Sequence, residues 1–498
     1  MYGIVDNSVF LESIILSKRE SSWRKHMLFN SLAFGVFLPI VFILHWAIPH
    51  KYRWGILLVA SYYFYMSWNP KYVILMLLTT AVTYLCAIIM DKTDDKRKKK
   101  LCLIITLILS LGVLFFFKYF NFLSASVTSA LQSISIPLQP LTLKILVPVG
   151  ISFYTFQSLS YVIDVYRGDV QPQKNFGKYA LFISYFPQIL AGPIGRTKSL
   201  MPQLFEERKF DHDKAVYGLR LMLLGFFKKL IIADSVSKYV DMVFNDVHSY
   251  FGLTFIVASI LFTFQIYCDF SGYSDIAIGT SKLLGIDLMT NFKSPYLSQS
   301  VKEFWGRWHI SLSSWFRDYL YIPLGGNRVT KSRARLNVML TFLASGLWHG
   351  ANWTFVIWGC LHGIYQVIEN LFPRKKGFLR GLLTFTLVSF AWIFFRANTV
   401  SDAFYVVTHL HRGLIHFGNS VVKMLIDMQF TYFSFTKLAG SLLVLMIYDY
   451  FSLKKDLIVE FGKVKWPIRW IFYIGLTSLI IVLKLHNGTN QEFIYFKF

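Results

Sequence analysis

Apolar residues in this chain come in long runs divided by short polar breaks. A helix needs about 20 predominantly apolar residues to cross a bilayer. The runs 28–48, 72–90, 101–123, 215–233, 252–270, 352–372, 378–395, 438–451 and 466–483 are the clearest spans, and 54–68, 145–163 and 178–195 are extra or partial ones. The pattern predicts an all-α polytopic integral membrane protein of roughly ten to twelve helices, because a helix satisfies its own backbone in lipid. Residues 398–437 are less hydrophobic. There "SDAFYVVTHLHRGLIHF" reads as a surface helix with Ser401 as its cap.

Composition agrees. The chain has 498 residues, 55% hydrophobic and 16% charged, where a soluble domain carries about 25% charged residues. A net charge of +24 would suit nucleic acid, but the cations sit between apolar runs: Lys96 to Lys100, then Arg328, Lys331, Arg333 and Arg335, then Arg374 to Lys376. The excess of Lys and Arg in cytoplasmic loops explains that placement without nucleic acid, and anionic membrane lipids are the partner it implies. Cys86, Cys102, Cys268 and Cys360 lie in apolar text with no close-spaced pair. They read as small buried hydrophobes, not as disulfides or a metal site.

Residues 1–26 are polar and basic and lack the order of a signal peptide. With the basic run 91–100 in the cytoplasm and spans at 28–48, 54–68 and 72–90, the N-terminus lies outside. Lys18, Arg19, Arg24 and Lys25 then sit on the wrong side for the positive-inside bias. The expectation is that Met27 is the natural start or that 1–26 is dispensable, with 27–498 forming one membrane domain. No internal repeat of the kind that marks inverted-repeat transporters is evident.

An ionisable group in apolar text is costly and therefore a functional candidate. Four places qualify. In "SGLWHGANWTFVIWG" (345–359), His349 lies between Trp348 and Gly350, with Asn352 close behind. It reads either as a core histidine with both nitrogens satisfied or as a working imidazole. In "FWGRWHISLSSWFRDYLYIPLGG" (304–326), His309 follows Trp305 and Trp308 and precedes Ser311, Ser313 and the pair Arg317 and Asp318. The tryptophans at 305, 308 and 315 suit interfacial anchoring, while Pro323, Gly325 and Gly326 break the helix and favour a nearby cavity. In "QIYCDFSGYSDIAIG" (265–279), Asp269 and Asp275 suit either acid–base chemistry or, the favoured reading, a structural charge network. In "AGPIGRTKSLMPQL" (191–204), Arg196 and Lys198 suit a phosphate-bearing donor or the cytoplasmic end of a span. His409, His411 and His416 are discounted as metal ligands, since residues two apart do not share a helix face. The chain also lacks a G-x-S-x-G elbow, a Walker loop and H-E-x-x-H.

These stretches occur in order with "PVGISFYTFQSLSYVIDVYRG" (148–168), "YFPQILAGPIGR" (185–196), "GFFKKLIIAD" (225–234), "AWIFFRANTVSDAF" (391–404) and a closing "FIYFKF" (493–498). Together they resemble the membrane-bound O-acyltransferase family, in particular its bacterial alginate and peptidoglycan O-acetyltransferase branch. The family's opening resembles "MLFNS", in line with a start at Met27. The resemblance implies a ring of helices around a thin centre, where a tunnel joins the cytoplasm to the outer face. It carries the near-invariant family histidine to His349 and a second polar position, histidine or asparagine, to His309. Trp305, Trp308, Trp348, Ser311, Arg317, Asp318, Asp269, Asp275 and Asn352 are expected to support the tunnel, and Arg196 and Lys198 to meet the donor.

The implied chemistry joins a hydroxyl to an activated acyl group. A neutral imidazole can take the hydroxyl proton, and surrounding tryptophans would keep water from the thioester. The implied donor is acetyl-CoA or a similar acyl thioester, with no permanently bound cofactor and no metal. The implied acceptor is a surface polysaccharide, an exopolysaccharide or peptidoglycan, reached through an extracytoplasmic partner of the SGNH-hydrolase-like kind. The implied location is the bacterial cell membrane. Two other readings stay open: D-alanine transfer to teichoic acid or acylation of a lipid or protein, and a transporter that moves a precursor without bond chemistry.

Overall fold

The computed structural model describes residues 26–190, 192–371, 377–487, 491 and 493–496. The segment 1–25 and the basic run Arg374 to Lys376 lie outside the described residues. All regular structure among the described residues is helical, from Leu32–Ala47 to Trp466–Asn487. Outward faces carry large apolar side chains, with Leu32 and Phe378 each 83% exposed. Such faces are a liability in water and suited to lipid.

Among the described residues, five helices are long and apolar enough to cross a membrane: Lys71–Asp91, Lys96–Ser133, Leu253–Leu283, Phe378–Arg396 and Trp466–Leu483. Leu414–Asp427 and Tyr432–Ser452, bent by 99°, would make a sixth if they form one span. The other apolar runs fold into shorter or broken pieces. His50–Met66 and Ile151–Arg167 hold 17 residues each, the lower limit for a span. The run 178–195 breaks at Tyr185 into Phe176–Ser184 and Phe186–Ile189, with Pro187 early in the second piece. Helix length therefore accounts for five or six of the expected ten to twelve spans.

Leu253–Leu283 is the central post. Its 31 residues reach roughly 46 Å, and most of its side chains are buried, as expected of a helix apolar on all sides. It stops at Gly285, whose φ of +79° lets Gly285 N–H bond Lys282 O at 3.0 Å and Ile286 N–H bond Ser281 O at 3.0 Å. His212–Phe226 packs against it through a glycine seam. A Cβ on Gly225 would lie 2.6 Å from Gly272 O, and one on Gly218 would lie 2.7 Å from Gly279 O. Two glycines seven residues apart on each helix thus bring the backbones into contact.

Three π-helical turns interrupt the described helices: Phe115–Tyr119, Phe227–Ala233 and Arg317–Tyr321. Each carries cations: Lys118, then Lys228 and Lys229, then Arg317. Such turns add a residue to the helical path and are frequent at functional sites.

Lys331–His349 is a helix that the hydropathy pattern did not predict, because Lys331, Arg333, Arg335 and Asn337 dilute its first half. It doubles back into Trp353–Glu369. A Cβ on Gly346 would collide with Phe355 O, and one on Gly359 with Phe342 O, so this hairpin is closely packed too.

One local expectation is corrected. The helix Val400–His409 is capped by Thr399, not Ser401. Thr399 Oγ1 accepts from Asp402 N–H at 3.1 Å, and Asp402 Oδ2 accepts from Thr399 N–H at 3.2 Å, so both orphan donors are satisfied. The four cysteines are free thiols, and Cys86, Cys102 and Cys268 are buried, in line with their reading as small hydrophobes.

Candidate functional site

His349 is the last residue of its helix, and the chain turns sharply at Gly350, where a Cβ would collide with the Phe355 ring. His349 is 2% exposed. Its ring lies 5.0 Å from Trp348, 5.0 Å from Trp358, 5.4 Å from Phe395 and 5.6 Å from Tyr495, between centroids.

His309 immediately precedes the helix Ile310–Phe316, with φ +42° and ψ +54°. That left-handed conformation is uncommon outside glycine and needs support from its surroundings. Asn291 supplies it. Its backbone carbonyl accepts from Ile310 N–H at 3.0 Å, and its side-chain oxygen accepts from Ser311 N–H at 3.2 Å and Ser311 Oγ–H at 2.8 Å. The strained backbone leaves the His309 ring fully buried, 4.5 Å from Phe270 and 6.5 Å from the His349 ring.

All four ring nitrogens of His309 and His349 are buried without a hydrogen-bond partner among the described residues. Neither is a satisfied core histidine. Leaving a buried polar group unpaired costs about 1–3 kcal/mol, and native proteins rarely tolerate it without a use. The indole N–H groups of Trp308, Trp348, Trp358 and Trp392 are likewise unpartnered, so orphan polar atoms concentrate around the histidines.

Lys118 is a site residue that sequence reasoning missed. From its π-helical turn, Nζ donates to Trp348 O at 2.8 Å and to His349 O at 3.0 Å. A cation therefore closes the C-terminal end of the His349 helix, where the carbonyl dipoles favour it. A lone lysine in "FFFKYF" was the available signal. His362 was missed as well: it is fully buried, and its Nδ1 accepts from Trp305 Nε1–H at 3.2 Å. Asn291 gave no sequence signal.

Three cavities surround the pair. One of about 80 Å³ is lined by His349, Trp348, Lys118, Phe153 and Tyr495. A second, of about 420 Å³, shares Lys118 with it and adds Asp241, Gln265, Asn352, Arg396 and Asn398. A third, of about 600 Å³, is lined by Lys302, Trp305, Ile310, Arg317 and Asn327. Lys331–His349 borders the third cavity at Val338, Thr341 and Ser345, and the second begins just past its end at Gly350. The antiparallel Trp353–Glu369 agrees, with Thr354 at the second cavity and Gln366 at the third. The two larger cavities thus lie toward opposite ends of this hairpin, and the histidines lie between them.

The remaining predicted residues are distributed as follows. Trp305, Trp308 and Trp315 are 8%, 0% and 7% exposed, so they are core residues and not interfacial anchors. Asn352 caps Trp353–Glu369, accepting from Thr354 N–H at 3.0 Å, and its Nδ2 donates to Asn398 O at 3.1 Å. Asp275 pairs with Lys228 at 2.7 Å, and Asp269 with Lys229 at 2.7 Å. Arg196 pairs with Asp318 at 2.9 Å and donates to Ser314 at 3.2 Å; Arg317 also pairs with Asp318, at 2.8 Å. Lys198 pairs with Asp169 at 3.2 Å. His409 stacks on Tyr405 at 3.9 Å, away from the histidine pair.

This geometry offers two unpartnered imidazoles in an aromatic enclosure with a chamber toward either end. It can hold a proton acceptor and a hydrogen-bond donor around one reacting carbonyl.

Known proteins carry the same text. The chain is 40% identical over 400 residues to a probable alginate O-acetylase of Pseudomonas aeruginosa, covering 79% of this chain and 75% of that one. It is 33% identical over 534 residues to a peptidoglycan O-acetyltransferase of Helicobacter pylori, covering 95% and 98%. A teichoic acid D-alanyltransferase of Streptococcus thermophilus is 31% identical over 241 residues, covering 46% and 58%. Residues 73–375 match the membrane-bound O-acyltransferase family as a whole. The chain belongs to the membrane-bound O-acyltransferase family.

Proposed function

We propose that this chain is an O-acetyltransferase that moves acetyl from a cytoplasmic thioester, with acetyl-CoA the leading donor, toward a polysaccharide of the bacterial surface. The observation that carries the reading is the buried pair His309 and His349, unpartnered and enclosed between two chambers. Relatives named for alginate and peptidoglycan acetylation match most of the chain, whereas the D-alanyltransferase matches less than half of it.

His349 takes the proton of an acceptor hydroxyl. The oxygen attacks the thioester carbonyl and the C–S bond breaks. The thiolate leaves with the proton held on His349. His309 donates a hydrogen bond to the oxyanion formed on the way. The tryptophan-lined enclosure keeps water from competing as the acceptor.

The 600 Å³ cavity suits the donor. Lys302 and Arg317 line it, and past Asn327 at its edge come Arg328 and the basic start of the helix Lys331–His349, with Lys331, Arg333 and Arg335. A basic cluster at a helix end favours the cytoplasmic side and attracts phosphates. Arg196 and Lys198, engaged in ion pairs, contribute to this field and do not reach the donor directly. The 420 Å³ cavity, lined by amides and by charged side chains that include Lys229, Asp269, Asp241 and Arg396, suits the acceptor. It is too small for a polymer strand, which favours relay to an extracytoplasmic partner of the SGNH-hydrolase-like kind.

The test measures ester-linked acetate on surface glycans in cells lacking the protein, carrying it, or carrying His349→Ala at equal membrane abundance. Acetate should vanish in the null and the mutant alike. Acetate that persists with His349→Ala removes the catalytic assignment, and acetate unchanged in the null removes the acetyl reading.

A further inference from the structure

Residues 493–496 pass between the histidine pocket and the polar cavity. Ile494 lines the 420 Å³ cavity, as does Gln491 upstream, while Tyr495 lines the 80 Å³ pocket beside His349. This strap is therefore the wall shared by the two chambers. Its rings rest on the central helix: Phe493 stacks on Tyr273 at 4.4 Å, and Tyr495 lies 4.5 Å from Phe270.

One polar contact ties the strap backbone to that helix. Ile494 N–H donates to Asp269 Oδ2 at 2.8 Å. The other carboxylate oxygen, Oδ1, faces Lys229 Nζ at 2.7 Å, and Lys229 also meets Asp234 at 2.9 Å. Asp269 is 3% exposed and Lys229 1%. The stoichiometry is informative. Lys228 meets one carboxylate, Asp275, but Lys229 meets two, so this cluster keeps acceptor capacity in excess of its cation. The strap amide takes it up as a charge-assisted hydrogen bond, roughly twice as strong as a neutral one. A buried ion pair is often replaceable by apolar residues at no loss of stability. Keeping an oxygen acceptor at position 269, where an apolar residue would serve stability, thus points to a task of placement.

We propose that Asp269 is a positioning residue for acyl transfer: held by Lys229, it pins the backbone of Ile494 and so seats the strap as the wall between the histidine pocket and the polar cavity. The activity part of this inference rests on the proposed function; the placement part does not.

The test uses full-length purified protein with Gln491→Cys as a reporter. Its labelling by a soluble maleimide is followed above the background of the native cysteines, three of them buried. Asp269→Ala removes the acceptor. Ile494→Pro removes the N–H donor and leaves the charges untouched. Each should speed labelling and slow acetyl transfer at least tenfold, with kcat falling and KM for the thioester changing less than threefold. Asp269→Asn and Ile494→Ala keep acceptor and donor and should leave labelling within threefold of the parent, and each should transfer acetyl faster than Asp269→Ala or Ile494→Pro respectively. Combining Asp269→Ala with Ile494→Pro should add little to either alone. If Ile494→Pro leaves labelling and transfer unchanged while Asp269→Ala impairs transfer, Asp269 acts by another route and the inference falls. Should Asp269→Ala fail to accumulate, Ile494→Pro against Ile494→Ala decides alone. Labelling needs no acyl donor, so failure of the acetyl reading would leave the labelling result intact.

Discussion

The histidine pair and the lysine–aspartate cluster are both buried, polar and close to the central helix, yet they are provisioned in opposite ways. Around Lys228 and Lys229, every charge has a counter-charge within 3 Å: Asp275 at 2.7 Å, Asp269 at 2.7 Å and Asp234 at 2.9 Å. Around His309 and His349, no ring nitrogen has a partner among the described residues, and the neighbours are aromatic. A satisfied buried group is committed to the fold. An unsatisfied one stays available to a substrate, at a cost the rest of the structure must carry. Apart from Asp269, which also holds the strap, removing a cluster member should therefore damage the protein, and removing a histidine should damage the reaction.

The largest expected effect is at His349. His349→Ala should lower the transfer rate by about 10²–10⁴-fold, the usual contribution of a positioned base, with folding and membrane abundance unchanged or improved. A mutant that loses abundance in step with activity would place His349 with the cluster and erase the contrast. His309→Ala should cost about 10²–10³-fold if it donates to an oxyanion. His309→Asn sharpens the point, because an amide N–H can still donate, and it should recover most of that loss in the same assay. A next, different effect is expected at Lys228. Lys228→Met leaves Asp275 buried and unpaired, and breaking such a pair costs about 3–5 kcal/mol. Thermal unfolding in detergent should move down, while turnover per folded molecule holds. Adding Asp275→Leu should restore much of the stability. The smallest effect is at the periphery: Thr399→Ala removes one half of a capping box and should cost about 1 kcal/mol, visible in unfolding and silent in transfer.

The sequence made the site more legible than the scaffold. His309 and His349 stood out because an imidazole in apolar text has few bland explanations, and the structure brings two residues 40 positions apart to within 6.5 Å. Lys118 meets the same criterion but barely shows, because one lysine hardly changes the hydropathy of a run. The helix Lys331–His349 escaped for the opposite reason, since its basic first half hides a helix that carries the central histidine. Span counting suffered because hydropathy measures composition, whereas the chain at Tyr185 breaks a helix through backbone geometry that composition does not record. The tryptophans at 305, 308 and 315 suit either an interface or a packed interior by composition, and burial decides for the interior.

The π-helical turn at Phe227–Ala233 has a further consequence for chain length. It lodges one more residue than an α-helix would use over that arc, so side chains inside the arc are offset from their α-helical positions while the flanking turns keep their phase. Deleting a single residue there would let the arc close as ordinary α-helix and slide the residues within it, so Lys228 and Lys229 could no longer both meet the aspartates six residues apart on the central helix. Single substitutions in this stretch remove one contact at a time; a one-residue gap would remove them together. The segment 227–233 is thus a place where the protein can vary its letters far more readily than their number.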